Sequence, residues 1–165
     1  MNLSDMASQH LIGLISDTHG LLRPDVHDAL AGVELILHAG DVGGEEILHE
    51  LRTIAPAFAV CGNTDAPAHY LETEIVREIG GLSIHVSHGH EVGRLTPDRL
   101  LARYPQDILV YGHTHKQFLL EWEGRIVVNP GAAGQRRFDL APTVARLRIA
   151  DGVADVQFVS LGYTE

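Results

Sequence analysis

The stretch Leu11-Ile12-Gly13-Leu14-Ile15-Ser16-Asp17-Thr18-His19-Gly20 decides how the chain reads. Leu11–Ser16 is an apolar run of strand length, and a carboxylate and an imidazole follow it at once. The arrangement recurs four times. Leu35–Ala39 precedes Gly40-Asp41, and Ala57–Cys61 precedes Gly62-Asn63-Thr64-Asp65. Ile84–Ser87 precedes His88-Gly89-His90, and Ile108–Tyr111 precedes Gly112-His113-Thr114-His115. In an open α/β sheet, ligands bind at the carboxyl ends of the strands. Five such strands deliver Asp, Asn and His to one rim, and metal is the economical use for so many.

The connections set the fold class. Pro24–Leu30 and Glu45–Ile54 read as helices between the first three strands, the second with Ile47, Leu48, Leu51 and Ile54 on one face. This is the βαβαβ pattern of a parallel sheet. Beyond it the chain becomes strand-rich and antiparallel. Glu74–Ile79 and Leu82–Ser87 flank the hairpin signal Gly80-Gly81. Thr96 caps a helix that opens on Pro97 and runs to Tyr104. Gln117–Glu121 pairs with Arg125–Val128 across Trp122-Glu123-Gly124, and Thr143–Ile149 with Ala154–Ser160 across Asp151-Gly152. The expectation is an α/β, four-layer α/β/β/α sandwich: two mixed β-sheets packed face to face with helices outside. Residues 1–9 read as a flexible N-terminus, and 10–165 as a single domain of ordinary size.

Composition narrows the partners. Apolar residues at 45% and charged residues at 21% exclude global disorder. The formal net charge of −10, with no basic cluster beyond Arg136-Arg137, disfavours duplex nucleic acid. Aromatics at 5% argue against a stacking platform for single strands. With one cysteine, Cys61, neither an internal disulfide nor a zinc-thiolate cluster forms. No leader pattern or membrane-spanning apolar run is present, so a cytoplasmic location and no membrane partner are expected.

Imidazole, carboxylate and carbonyl oxygen together suit Mn²⁺, Fe²⁺, Zn²⁺ or Ni²⁺, and a thiolate-free set leans towards the harder ions. Asp17 and His19 converge only if the backbone turns between them; His113 and His115 share their spacing, with Gly112 permitting close approach. A carboxylate such as Asp41 can bridge two ions, and Asn63 can offer a neutral oxygen. Two ions about 3.5–4 Å apart would clamp an ester oxygen and hold a hydroxide.

The ordered set Asp-x-His, Gly-Asp, Gly-Asn-x-Asp, His-Gly-His, Gly-His-Thr-His resembles the calcineurin-like metallophosphoesterases, above all their small single-domain phosphodiesterases, relatives of the retromer scaffold subunit. The likeness spans residues 11 to about 137. It implies that Asp17, His19 and His115 hold one metal, that Asn63, His88 and His113 hold a second, and that Asp41 bridges them. It implies a divalent-metal-dependent phosphodiesterase with two ions, Mn²⁺ first, in which a metal-bound hydroxide attacks a small phosphate ester in line. Many members carry His after the Asn as leaving-group acid. Here Thr64 stands there, a poor acid at neutral pH, which points to esters with good leaving groups.

His90 is a candidate for facing substrate, and Arg137 for binding phosphate through its guanidinium. Both join Asp41 as candidate catalytic residues. Asp65 is a candidate to orient a ligand or, alternatively, to cap a turn. Asn129-Pro130-Gly131-Ala132 resembles a loop that packs beneath the site in these enzymes. His10, His27, His38, His49, His69 and His85 read as surface or satisfied core positions. The rival readings are a non-catalytic scaffold on the same fold, against which a complete ligand set argues, and a phosphomonoesterase. Room for a homo-oligomer remains.

Overall fold

The computed structural model describes residues 9–137 and 139–162. Most of the expected terminal segment, residues 1–8, lies outside them; Gln9 belongs to the first strand. The elements run β1 (Gln9–Ile15), α1 (Val26–Ala29), β2 (Leu35–His38), α2 (Glu45–Leu51), β3 (Ala57–Val60), β4 (Leu71–Glu72), β5 (Ile75–Ile79), β6 (Leu82–Val86), a 3₁₀ turn (His90–Val92), α3 (Pro97–Arg103), β7 (Ile108–Val110), β8 (Phe118–Trp122), β9 (Arg125–Asn129), β10 (Thr143–Ala150) and β11 (Val153–Ser160).

The first sheet has the order β11-β10-β1-β2-β3-β4 and the second β5-β6-β7-β9-β8. In the first, β1, β2, β3 and β4 are parallel, and β10 lies antiparallel against β1. The expectation of an antiparallel second half is corrected on two points. Strands β6, β7 and β9 are parallel to one another, and β10 and β11 return to the first sheet. Helix α3 carries the chain from β6 to its parallel neighbour β7, the right kind of connection for a parallel pair.

Alternation along the strands makes the layers. Ile12, Leu14, Leu37 and Leu147 from the first sheet meet Ile84, Val86, Val110 and Val128 from the second in one buried cluster. The opposite face of the first sheet, with Ile15, Ile36 and Val144, packs against Val26 of α1, Leu30 at its end, and Ile47, Leu48 and Leu51 of α2. Leu109, Tyr111 and Val127 cover the outer face of the second sheet beneath Leu100 of α3. The result is the four-layer α/β/β/α sandwich. Each fully buried Leu, Ile or Val contributes roughly 1.5–3 kcal/mol.

Helix α2 stops at Leu51, short of the expected Ile54; the chain continues in tighter turns, with the Thr53 and Ile54 N–H groups donating to Glu50 O and Leu51 O, before Pro56. Thr96 Oγ1 accepts the Arg99 N–H at 3.3 Å and Pro97 occupies the first turn of α3, as its sequence indicates. Gly80-Gly81, Glu123-Gly124 and Asp151-Gly152 all have positive φ, the conformation of two-residue hairpin turns. Among the described residues no helix is long and apolar enough to cross a membrane.

The two parallel sets aim their carboxyl ends at one edge. Asp17 and His19 follow β1, Asp41 follows β2, Asn63 follows β3, His88 follows β6, and His113 and His115 follow β7.

Candidate metal centre

All seven candidate ligands meet at that edge. Five of them (Asp17, His19, Asp41, His113 and His115) have positive φ, between 46° and 72°. The other non-glycine residues in that region among those described are Glu123 and Asp151, both in hairpin turns. Left-handed backbone is strained for residues with a Cβ, and strain of this kind collects where geometry serves a site. It is held in place by neighbouring loops: Asp17 N–H donates to Gly40 O at 3.0 Å and His19 N–H to Asp41 O at 2.9 Å. Here the backbone turn expected between Asp17 and His19 is found.

One cluster consists of Asp17, His19 and His115, whose ligand atoms lie within 4.8 Å of one another. His115 Nε2 is 3.3 Å from Asp17 Oδ1 and 3.3 Å from His19 Nε2. Asp17 Oδ2 accepts from Ser16 Oγ at 2.6 Å and from the His113 N–H at 3.1 Å, whereas Oδ1 is buried with no hydrogen-bond partner. A buried carboxylate oxygen without a donor is costly. Two imidazole nitrogens converge on it. A divalent cation satisfies all three.

The second cluster is Asp17, Asp41 and His88, joined by Asn63 and His113. His88 Nδ1 donates to Ala39 O at 2.8 Å, which fixes the ring and leaves the Nε2 lone pair facing inwards. That nitrogen is 2.8 Å from Asn63 Oδ1 and 3.3 Å from Asp41 Oδ2, and Asn63 Oδ1 is 3.0 Å from His113 Nδ1. Two imidazole nitrogens, an amide oxygen and a carboxylate oxygen thus face one another, a donor set that suits a divalent cation. Asp41 Oδ2 is also 3.7 Å from His19 Nε2, so this carboxylate stands between the two clusters. Its Oδ1 accepts the Thr64 N–H at 2.9 Å.

The electrostatics agree. Burial pushes the Asp17 and Asp41 carboxyls up, but the interactions with His115 and His88 outweigh it and hold both below the ordinary carboxylate range. Burial lowers His88, but Asp41 and Asp17 raise it overall, while burial and the charge of His88 lower His113. The carboxylates are therefore ionised at neutral pH, as ligands for a divalent ion must be.

Close packing shapes the rim. A Cβ on Gly112 would lie 2.1 Å from Ser16 Oγ and 2.7 Å from Asp17 Oδ2; on Gly40 it would lie 2.7 Å from His88 Nδ1. Asn129, at the end of β9, donates through Nδ2 to Gly112 O and Thr114 Oγ1, both at 3.0 Å, and accepts the Gly131 N–H at 2.9 Å. The Asn129–Ala132 segment thus fastens the Gly112–His115 loop from below. Asp65 does not orient a ligand. Its carboxylate accepts the N–H groups of Val42, Gly43 and Gly62, clamping the Asp41 loop to the Asn63 loop.

His90 is exposed at the rim, its ring 5.4 Å from that of His88 and 6.4 Å from that of His113. Arg137 is exposed, pairs with Leu140, and makes no described contact with the seven clustered residues. Among the remaining histidines, His38 is a satisfied core residue between Thr18 Oγ1 and the Gly40 N–H. His85 departs from that pattern. It is buried, it meets Glu74 at 2.7 Å through Nε2, and its Nδ1 has no partner. Cys61 is half-buried, lining a cavity beside the rim, rather than enclosed in the core.

Fold and rim together define an α/β/β/α protein whose strand ends fit divalent cations. Residues 11–152 match the calcineurin-like phosphoesterase superfamily domain, and the chain belongs to that superfamily. It is 39% identical to a protein named as a probable metallophosphoesterase from Methanothermobacter thermautotrophicus, across 92% of this chain and 93% of that one. It is similar to the solved structure of an archaeal phosphodiesterase, with 25% identity, a TM-score of 0.76, and 92% of this chain and all of that one covered (100%). It is also similar to wild-type Vps29 from Entamoeba histolytica, solved with Zn²⁺, with 28% identity, a TM-score of 0.71, and coverage of 91% and 98%.

Proposed function

We propose that the chain is a divalent-metal-dependent phosphodiesterase with a dinuclear centre, acting on a small phosphodiester. The observation that carries this reading is Asp41, whose Oδ2 stands 3.3 Å from His88 Nε2 and 3.7 Å from His19 Nε2, between the two clusters of candidate ligand atoms. Asp17, His19 and His115 would hold one ion, Asn63, His88 and His113 the other, with Asp41 shared. Bound there, two divalent ions supply a water acidified towards neutral pH and positive charge against the phosphoryl oxygens. Mn²⁺ suits this thiolate-free set, and Zn²⁺, Fe²⁺ and Ni²⁺ suit it next.

The chain's own residues do the rest. The Thr64 N–H holds Asp41 Oδ1 and so fixes which oxygen is free to be shared. The Thr64 hydroxyl is no acid at neutral pH, so an ester must leave largely unaided or find another donor. His90, exposed beside His88 and His113, is the candidate for that donor. Arg137 stays a candidate phosphate contact.

Elemental analysis of protein reloaded with Mn²⁺ or Zn²⁺ tests the centre. Two ions per chain are expected, and a variant Asp41→Ala should keep no more than one. Side-by-side rates on a bis-aryl and a mono-aryl phosphate test the diester preference, and faster monoester hydrolysis contradicts it. The second reading is a metal-binding scaffold without catalysis, which the similarity to Vps29 leaves open.

A further inference from the structure

Thr18 stands between two candidate ligands, Asp17 and His19, yet it is fully buried. Its hydroxyl donates to Val42 O at 2.7 Å and meets His38 Nε2 at 2.9 Å. His38, at the end of β2, is fully buried as well, and its Nδ1 is 3.1 Å from the Gly40 nitrogen. The partners fix every donor and acceptor. A backbone N–H can only donate, so Nδ1 accepts from Gly40. A carbonyl can only accept, so the Thr18 hydroxyl gives its one proton to Val42 O and accepts at its other contact. His38 Nε2 must then carry the proton of a neutral ring. The outcome is a one-way chain from the Gly40 N–H through His38 and Thr18 to Val42 O.

That chain lies across the two loops that carry Asp17, His19 and Asp41. Backbone bonds join the same loops, the last of them from the Gly20 N–H to Val42 O at 2.9 Å. Asp17, His19 and Asp41 all have positive φ, and strained backbone persists only where its surroundings over-determine it. Thr18 and His38 supply that constraint from within the core, although neither is a candidate ligand. We propose that His38 and Thr18 are positioning residues of the metal centre, whose buried chain sets the Asp17–His19 loop against the shared Asp41. Both are shut off from solvent and act through those three residues, on the ion that Asp17, His19 and His115 would hold. The assignment rests on the two-metal reading above.

Heteronuclear NMR of the histidine rings in the metal-free parent at neutral pH reads the chain directly. His38 should show a protonated Nε2 and a bare Nδ1; the opposite tautomer, or an imidazolium, overturns the inference. Thr18→Val then removes the hydroxyl while keeping the shape of the side chain. In competition for Mn²⁺ against a chromogenic chelator, one ion should bind about 10–100-fold more weakly, the usual loss when an outer partner is removed, while the other keeps its parent affinity. Diester hydrolysis should lose kcat with little change in KM. Thr18→Ser, which retains the hydroxyl, should restore both readouts. His38→Leu should lose at least as much as Thr18→Val, and the double variant no more than His38→Leu alone, because one chain is broken only once. Unchanged affinity in Thr18→Val, equal loss in Thr18→Ser, or losses that multiply in the double variant each overturn the inference. If the parent binds two ions and these affinities follow, but no diester is hydrolysed, the hydrolase reading falls and the positioning role stands. If the parent hydrolyses diesters and Thr18→Val binds both ions as the parent does, the positioning role alone falls. A parent that binds no divalent ion refutes both.

Discussion

His113 donates its backbone N–H to Asp17 Oδ2 across 3.1 Å, tying the loop after β7 of the second sheet to the loop after β1 of the first. Both residues sit at positive φ; Asp17 takes part in both clusters and His113 joins the second. The two half-sites are thereby fixed relative to one another by the backbone of the second sheet, before any ion is bound.

The first prediction follows from that contact. Gly112→Ala puts a methyl 2.7 Å from Asp17 Oδ2 and 2.1 Å from Ser16 Oγ, so the joint must open. Overpacking of this kind typically costs about 1–3 kcal/mol. Urea unfolding should show that loss, and diester hydrolysis should fall more than stability does. A variant as active as the parent would mean the joint is not needed.

Asn129→Ala removes the fastening beneath His113 and His115 without touching a candidate ligand. Loss of such outer partners typically lowers metal affinity or activity by about 10–100-fold. Competition of the variant against a chromogenic chelator measures it. Unchanged affinity would remove Asn129 from the site's support.

His38 yields a pH prediction. Burial lowers its pKa from 6.5 to about 4, against the pull of Asp17, Asp65 and Asp41. Between those values the unfolded chain binds the proton and the folded chain does not. Stability should therefore be independent of this group above about pH 6.5 and decline as pH falls towards 4, by about 3 kcal/mol in all. Comparing urea midpoints of the metal-free parent and His38→Gln at pH 7.5 and pH 5 isolates it. The variant should lose less stability on acidification; equal losses would show that His38 does not carry the effect.

Thr64 sets the leaving-group dependence. Without a general acid, a contribution of about 10²–10⁴-fold is missing for poor leaving groups. Rates across substituted aryl diesters should fall steeply as the leaving phenol becomes less acidic. Thr64→His should flatten that slope. A shallow slope in the parent would show that another group, His90 first, already supplies the proton, and His90→Ala would then steepen it.

The strand ends were legible because each apolar run stops at Gly, Ser or Cys and passes at once into ligand chemistry, as at Ile15-Ser16-Asp17. Period and turn residues likewise marked α2, α3 and the three hairpins. The return of β10 to the first sheet was not legible. Its pairing of Gln9 with Ala150 joins residues far apart in the chain, and alternation alone does not say which sheet a hairpin joins. Strand β4, only Leu71–Glu72, is too short to carry a period. The clamp made by Asp65 was equally hidden, because a carboxylate that collects backbone N–H groups leaves no spacing pattern. Asn129 was found through its loop motif, but its contacts with Gly112 and Thr114 exist only in three dimensions. Arg137 shows the converse: a suggestive place in the sequence without a matching contact in the fold.

The central claim is a two-metal hydrolase with Asp41 shared between the ions, and hydrolysis of bis(p-nitrophenyl) phosphate with added Mn²⁺ tests it most directly. Turnover should vanish on chelation, return with the metal, and be lost in both Asp41→Ala and His113→Ala, one residue shared and one belonging to a single cluster. Absence of turnover with Mn²⁺, Fe²⁺, Ni²⁺ and Zn²⁺ alike, or full activity in either variant, would contradict it.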